Sequence, residues 1–191
     1  MKEIKIKKQL QEVLDEPRYE HTLGVAYTAM CLAMRYGADM RRAELAGLLH
    51  DCAKCISNSK KIKECERYHL EITSVERKNP SLLHAKLGAV YARELYGVRE
   101  EDVLSAVLWH TTGKPDMTLL EQIIFVADYM EPGRDRAPHL DEIRGLAFRD
   151  LDLATAMILE DTVNYVQEKE NAMDEMTVRA WAYYAHKING N

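Results

Sequence analysis

The sequence predicts an all-α protein folded as a single helical domain. Apolar residues recur at helical spacing along almost the whole chain, and no stretch shows the sustained alternation of a half-buried strand bounded by hairpin turns. The 191 residues, 47% hydrophobic and 30% charged, are enough to bury one substantial core. No internal repeat, low-complexity tract or linker divides the chain, so residues 1–191 are read as one domain.

Each element has a local reason. After a basic N-terminal helix, Pro17 suits the first turn of a second helix that runs to Tyr36 and stops at Gly37. Asp39 is the predicted N-cap of a third, in which Ala43, Ala46, Gly47 and His50 share one face. Ser57-Asn58-Ser59 caps a short Lys-rich helix over 60–68. The polar segment 69–80 ends in Asn79-Pro80 and reads as a loop or lid. Ser81 is expected to cap a helix with a stripe of His84, Leu87, Gly88, Tyr91 and Leu95 that stops at Gly97. In the next helix Val103, Ala106, Val107 and His110 share a face, which Thr111-Thr112-Gly113-Lys114-Pro115 breaks. Thr118-x-x-Glu121 matches a capping box for a helix carrying Asp128, ended by Glu131-Pro132-Gly133-Arg134. Three packing helices are expected near 139–148, 151–168 and 174–187.

Net charge is −5, which excludes a broad nucleic-acid-binding face because neutralising phosphates along a strand needs clustered Lys and Arg. The opening MKEIKIKKQL lacks the apolar core of a signal peptide, and no run approaches the roughly 20 apolar residues of a membrane span. A cytoplasmic protein is expected, with Cys31, Cys52, Cys55 and Cys65 as thiols. Cys52-x-x-Cys55 has no second pair, so a zinc knuckle is not expected. The oligomeric state, a homodimer included, stays open.

Six residues carry the chemistry: His21, His50, Asp51, His84, His110 and Asp128. A single histidine on an apolar helix face is more often a hydrogen-bonded core residue than a ligand. Four of them, on separate helices beside two carboxylates, make a poor accident. Imidazoles with carboxylates suit iron, manganese or zinc, and two such ions can activate water and clamp a phosphate. Lys54 lies one turn past His50-Asp51, Arg134 follows Asp128 across a Pro-Gly bend, and Arg18 is one turn from His21, so all three could reach phosphate oxygens. Thr111 and Gly113 could offer a hydroxyl and a backbone N–H, while Tyr129 could stack on a base. His69, His139 and His186 fall outside the inward pattern and read as surface or structural residues.

These residues resemble a known family, the HD-domain metal-dependent phosphohydrolases, named for a His-Asp pair such as His50-Asp51. The closer likeness is to the bacterial YqeK-type branch, symmetrical diadenosine tetraphosphate hydrolases. It is carried by Arg18-x-x-His21, His50-Asp51-x-x-Lys54, Leu83-His84-Ala85, His110-Thr111-Thr112-Gly113 and Ala127-Asp128-Tyr129-Met130-Glu131-Pro132-Gly133-Arg134. The likeness covers about residues 17–136 and implies an HD-type helical bundle. It also implies that His21, His50, Asp51 and Asp128 hold one ion and that His84 and His110 permit a second, with Asp51 bridging a di-iron centre. The ligand types alone equally admit manganese.

The expected activity is therefore hydrolysis of diadenosine tetraphosphate to two ADP, with Asp51, Lys54 and His110 as catalytic residues. Cleavage at the middle of the tetraphosphate comes from the resemblance; the residues themselves point to metal-assisted phosphoester or phosphoanhydride hydrolysis. Alternatives are another HD nucleotide hydrolase, acting on a nucleoside mono- or triphosphate, a guanosine alarmone or a cyclic dinucleotide, a di-iron oxygenase, and a non-catalytic binding module. Lys54 and Arg134 favour phosphate over oxygen chemistry.

Overall fold

The computed structural model describes residues 2–169 and 172–190. Among these residues there are eleven α-helices, one 3-10 turn and no strand. In chain order the helices are α1 (Lys2–Val13), α2 (Glu16–Tyr36), α3 (Met40–Leu49), α4 (Asn58–Arg67), α5 (Ser74–Lys78), α6 (Leu83–Glu94), α7 (Glu101–Trp109), α8 (Leu119–Met130), α9 (Leu140–Ala147), α10 (Leu151–Glu168) and α11 (Glu175–Asn189).

Helix starts follow the capping chemistry of the sequence. Asp15 accepts from the Arg18 N–H, and Asp39 from the N–H groups of Arg41 and Arg42, so each satisfies donors that the first turn leaves without a partner. Thr118 and Glu121 form the expected capping box at α8. Gly37 ends α2 at φ 74°, a conformation that costs glycine nothing.

α3 lies against α2 and α7 and also touches α6 and α8; α8 packs on α2, α7, α9 and α10, and α11 lies on α10. The sequence LLEQIIFVADYM explains why α8 is central, because it is apolar on nearly every side and must be surrounded. Its two buried polar residues near the start are satisfied: Glu121 accepts from Ser105 and pairs with Lys114, and Gln122 donates to Asp152. The close approach of α2 and α3 depends on Gly47, where a Cβ would stand 2.7 Å from the Cα of Ala26.

Four local expectations are corrected. Segment 69–80 is not a bare loop, since Thr73 and Glu76 form a second capping box that starts α5. Ser81 does not cap α6; a 3-10 turn, Pro80–Leu82, leads into it, and the Ser81 carbonyl is used by a histidine instead. Leu95 leaves the buried stripe and is 57% exposed, because α6 ends at Glu94. Gly113 is buried at φ 63° against Ala180, Leu159 and Met117, and its N–H closes the α7 turn on the Trp109 carbonyl, so that N–H has no capacity left for a phosphate.

Candidate metal centre

The ends of α3, α6, α7 and α8 and the first turns of α2 each deliver a side chain to one cluster. His21 stands in α2, His50 caps α3 with Asp51 next in sequence, His84 opens α6, His110 caps α7, and Asp128 lies in the last turn of α8. His50, Asp51, His84 and His110 are almost fully buried, and Asp128 is partly open to solvent.

The imidazoles share one orientation. Nδ1 of His50, His84 and His110 lies 2.6–2.7 Å from the carbonyl three residues earlier, those of Gly47, Ser81 and Val107. Nδ1 of His21 lies 3.0 Å from Oε1 of Glu131. Acceptors at all four Nδ1 atoms assign the protons there and leave four Nε2 lone pairs aimed inward. These lone pairs face one another: His84 and His110 are 3.1 Å apart at Nε2, and His21 and His50 are 3.3 Å apart. Two acceptors at that distance repel unless a proton or a metal ion shares them.

Around Asp51 the two pairs come together. Its Oδ1 lies 3.1 Å from Nε2 of His84 and 3.6 Å from that of His110, while Oδ2 lies 3.5 Å from His50 and 4.0 Å from His21. Oδ1 is buried and makes no hydrogen bond. A buried carboxylate oxygen without a donor is costly, and it is the atom expected of a ligand shared between two cations. The ligand atoms of His21, His50 and Asp51, and of Asp51, His84 and His110, each lie within 4.8 Å of one another, as do those of His50, His110 and Asp128. The residues therefore fit a metal, and Asp51 belongs to both triads that the paired imidazoles define.

Electrostatics favours the same state. Burial pushes His84 down to about 4 against the opposing pull of Asp51, with Lys54 and His110 lowering it further, so His84 offers a free lone pair at neutral pH. Burial works against charge on Asp51 and Asp128. Positive charge at the inward Nε2 atoms, whether a proton or a cation in its place, outweighs it in both, His50 foremost at Asp51 and His21 at Asp128, and holds both carboxyls far below the usual range.

The His84 shift has a consequence for metal-free protein. A histidine lowered from about 6.5 to about 4 takes up its proton in the unfolded chain first, so its contribution is complete above the unfolded value and declines as pH falls between the two. Asp51 and Asp128, lowered, lose theirs further down. Metal-free protein is expected to be about 2 kcal/mol less stable to urea near pH 5 than at neutral pH. Equal unfolding free energies at the two values would contradict the buried neutral imidazole.

Cations line the rim. Arg18 reaches Asp51 Oδ2 at 2.8 Å, Arg134 reaches Asp128 Oδ1 at 2.9 Å, and Lys54 Nζ lies 3.2 Å from His84 Nε2. The Thr111 hydroxyl is within 3.2 Å of both His84 and His110. Tyr129 faces a small cavity of about 150 Å³ with His110 and Arg134, but its hydroxyl is taken by Asp161 and Pro138. A larger cavity of about 620 Å³ opens beside the centre past Arg18, His21, Gly133 and Arg134. Cys52 is buried and Cys55 exposed, and neither belongs to a group of ligand atoms among the described residues.

Sequence reasoning missed Glu131, which reads only as a helix stop before Pro132. Its carboxylate accepts from His21 Nδ1 and, at 2.7 Å, from the Gly133 N–H. Gly24 makes room for it, since a Cβ there would stand 2.3 Å from Glu131 Oε2. In Glu131→Gln one of those two donors must meet an amide NH2. We expect metal affinity to fall about 10–100-fold with the fold retained, as measured by chelator competition; an unchanged affinity would remove Glu131 from the site.

Comparison with known proteins agrees with this geometry. Residues 18–133 match the HD domain family. A protein of Halalkalibacterium halodurans named bis(5'-nucleosyl)-tetraphosphatase, symmetrical, is 44% identical over 82% of each chain. One of the same name from Bacillus subtilis is 41% identical over 84% of this chain and 85% of its own. A crystal structure from Clostridium acetobutylicum, described as a predicted HD superfamily hydrolase involved in NAD metabolism, superposes with TM-score 0.92 at 40% identity over 96% of both chains. With its His50-Asp51 pair at the junction of two ligand triads, this chain belongs to the HD domain family, in the branch of the symmetrical bis(5'-nucleosyl)-tetraphosphatases.

Proposed function

We propose that this protein hydrolyses diadenosine tetraphosphate at its central phosphoanhydride, releasing two ADP, with two metal ions at the His/Asp cluster. The observation that carries the reading is the pair of facing Nε2 contacts joined by the undonated Oδ1 of Asp51. His21, His50, Asp51 and Asp128 would hold one ion, and Asp51, His84 and His110 the other. Iron follows from likeness to the family, and the same nitrogen and oxygen donors also accept manganese. When bound, such ions neutralise phosphate charge and lower the pKa of water from about 15.7 toward roughly 7.

The chain's own residues do the rest. A tetraphosphate is polyanionic and repels a nucleophile until its charge is matched. Arg18 and Arg134, which rest on Asp51 and Asp128 without substrate, can turn to phosphate oxygens as bidentate donors. Lys54 brings an ammonium to the centre from the side of His84, and Thr111 adds a hydroxyl donor next to His110. The cavity of about 620 Å³ beside Arg18 and Arg134 is large enough for one nucleoside half, since ligand pockets run from roughly 300 to 1,000 Å³. No side chain needs to form a covalent intermediate. The substrate is thus a small nucleotide, and no helix among the described residues is long and apolar enough to cross a membrane.

Chromatographic product analysis tests this reading. Metal-loaded protein should convert diadenosine tetraphosphate to ADP alone, and chelation should stop it. Formation of AMP with ATP would mean asymmetric attack, and turnover confined to mononucleotides would transfer the protein to a different hydrolase class.

A further inference from the structure

The C-terminal helices read from sequence as packing elements, and they lie beyond the residues matched by the HD family. Two of them nevertheless grip the segment that carries Arg134. At its inner end Arg144 of α9 donates to three carbonyls, from Nε to Met130 at 3.1 Å and from Nη2 to Glu131 at 3.0 Å and Arg134 at 2.8 Å. At its outer end Asp161 of α10, 7% exposed, binds His139 and also the hydroxyl of Tyr129 in α8, which itself reaches the Pro138 carbonyl. Asp161 Oδ1 accepts from His139 Nδ1 at 2.8 Å and its Oδ2 from the Tyr129 hydroxyl at 2.9 Å.

We propose that Asp161 is a positioning residue for substrate: with Arg144 it pins the strap from Glu131 to His139 at both ends, so that the Arg134 guanidinium stands at the phosphate chain. This rests on the reading of Arg134 as a phosphate ligand. The geometry between the pins supports it, because Arg134 bonds both the backbone carbonyl and the carboxylate of Asp128, and the strap forms one wall of the cavity of about 620 Å³. His139 sits at φ 46°, a left-handed conformation uncommon outside glycine though more accessible to histidine than to most residues, and its ring is held there by Asp161. The strap's further ties are the Gly133 N–H to the Glu131 carboxylate, the Arg134 N–H to the Glu131 carbonyl and the Tyr129 hydroxyl to the Pro138 carbonyl. Released at the outer end, the strap would still be held by Arg144 at the Arg134 carbonyl, so the guanidinium would shift and not come free, and misplacement by about 1 Å can cost up to roughly 10²-fold in a positioned step.

A double-mutant cycle between Asp161→Ala and Arg134→Ala, read by calorimetric binding of ADP to metal-loaded protein, decides the matter. Each single substitution should weaken ADP binding about 5–10-fold with metal content unchanged. Asp161→Ala placed on Arg134→Ala should add less than about twofold, because its effect runs through the arginine. His139→Ala, an exposed site with little risk to folding, should reproduce part of the Asp161 loss. Full additivity of the two losses, or ADP binding by Asp161→Ala equal to wild type, overturns the positioning role alone. An Arg134→Ala protein that binds ADP as tightly as wild type overturns the phosphate reading as well.

Discussion

An Asp51→Ala variant is expected to lose hydrolytic activity by on the order of 10³-fold or more and to purify with little bound metal. Asp51 is the side chain that both imidazole pairs share, at 3.1 Å from His84 and 3.5 Å from His50. Without it the cluster keeps four lone-pair donors and Asp128 but loses the one carboxylate that both imidazole pairs share. It also frees Arg18, whose guanidinium loses its carboxylate partner. Metal affinity and chemistry should therefore fall together, whereas removing a rim cation would weaken substrate binding and leave the ions in place. Elemental analysis alongside turnover separates these cases. Wild-type metal content with wild-type turnover in Asp51→Ala would end the two-ion interpretation.

Gly47→Ala is expected to destabilise the protein by about 1–3 kcal/mol, lowering Tm by roughly 3–10 °C. The added Cβ would meet the Cα of Ala26 at 2.7 Å and its N at 3.0 Å, and a helix backbone cannot swing aside as a side-chain tip can. α2 and α3 would have to part along their closest line of approach. The substitution should also reach the site, because the Gly47 carbonyl accepts from His50 Nδ1 and moves with α3. Replacement of glycine by alanine inside a helix ordinarily gains about 0.5–1 kcal/mol, so the sign of the change is itself the test. Thermal melting of the two proteins reads it directly, and a higher Tm in the variant would show that the helices are not in backbone contact there.

Much of this molecule was legible because its rules are local. Helical periodicity, Pro17 in the first turn of α2, the Asp39 and Thr118 caps and the stop at Gly37 each depend on residues within a few positions. The ligand types were legible too, since His50 and His110 fall on the last turns of apolar faces, which are the places from which a side chain can reach past its own helix. Even the Nδ1 contacts of His50, His84 and His110 are local, each to the carbonyl three residues earlier.

What lay beyond the sequence was whatever depends on partners distant along it. Glu131 orients His21 across 110 positions, and the space that Gly24 leaves is filled by that carboxylate. Asp161 looked like one more packing residue of α10, since nothing in a helical stripe says that His139 and Tyr129 will meet it. Gly113 looked available to a phosphate until its N–H proved to be spent on Trp109. The amino-acid sequence by itself determined which segments are helical and which side chains could bind a cation, because those follow from backbone hydrogen bonding and residue chemistry. The tertiary structure decided which lone pairs face one another and which carbonyls hold the strap, because those distances are set by how the helices pack.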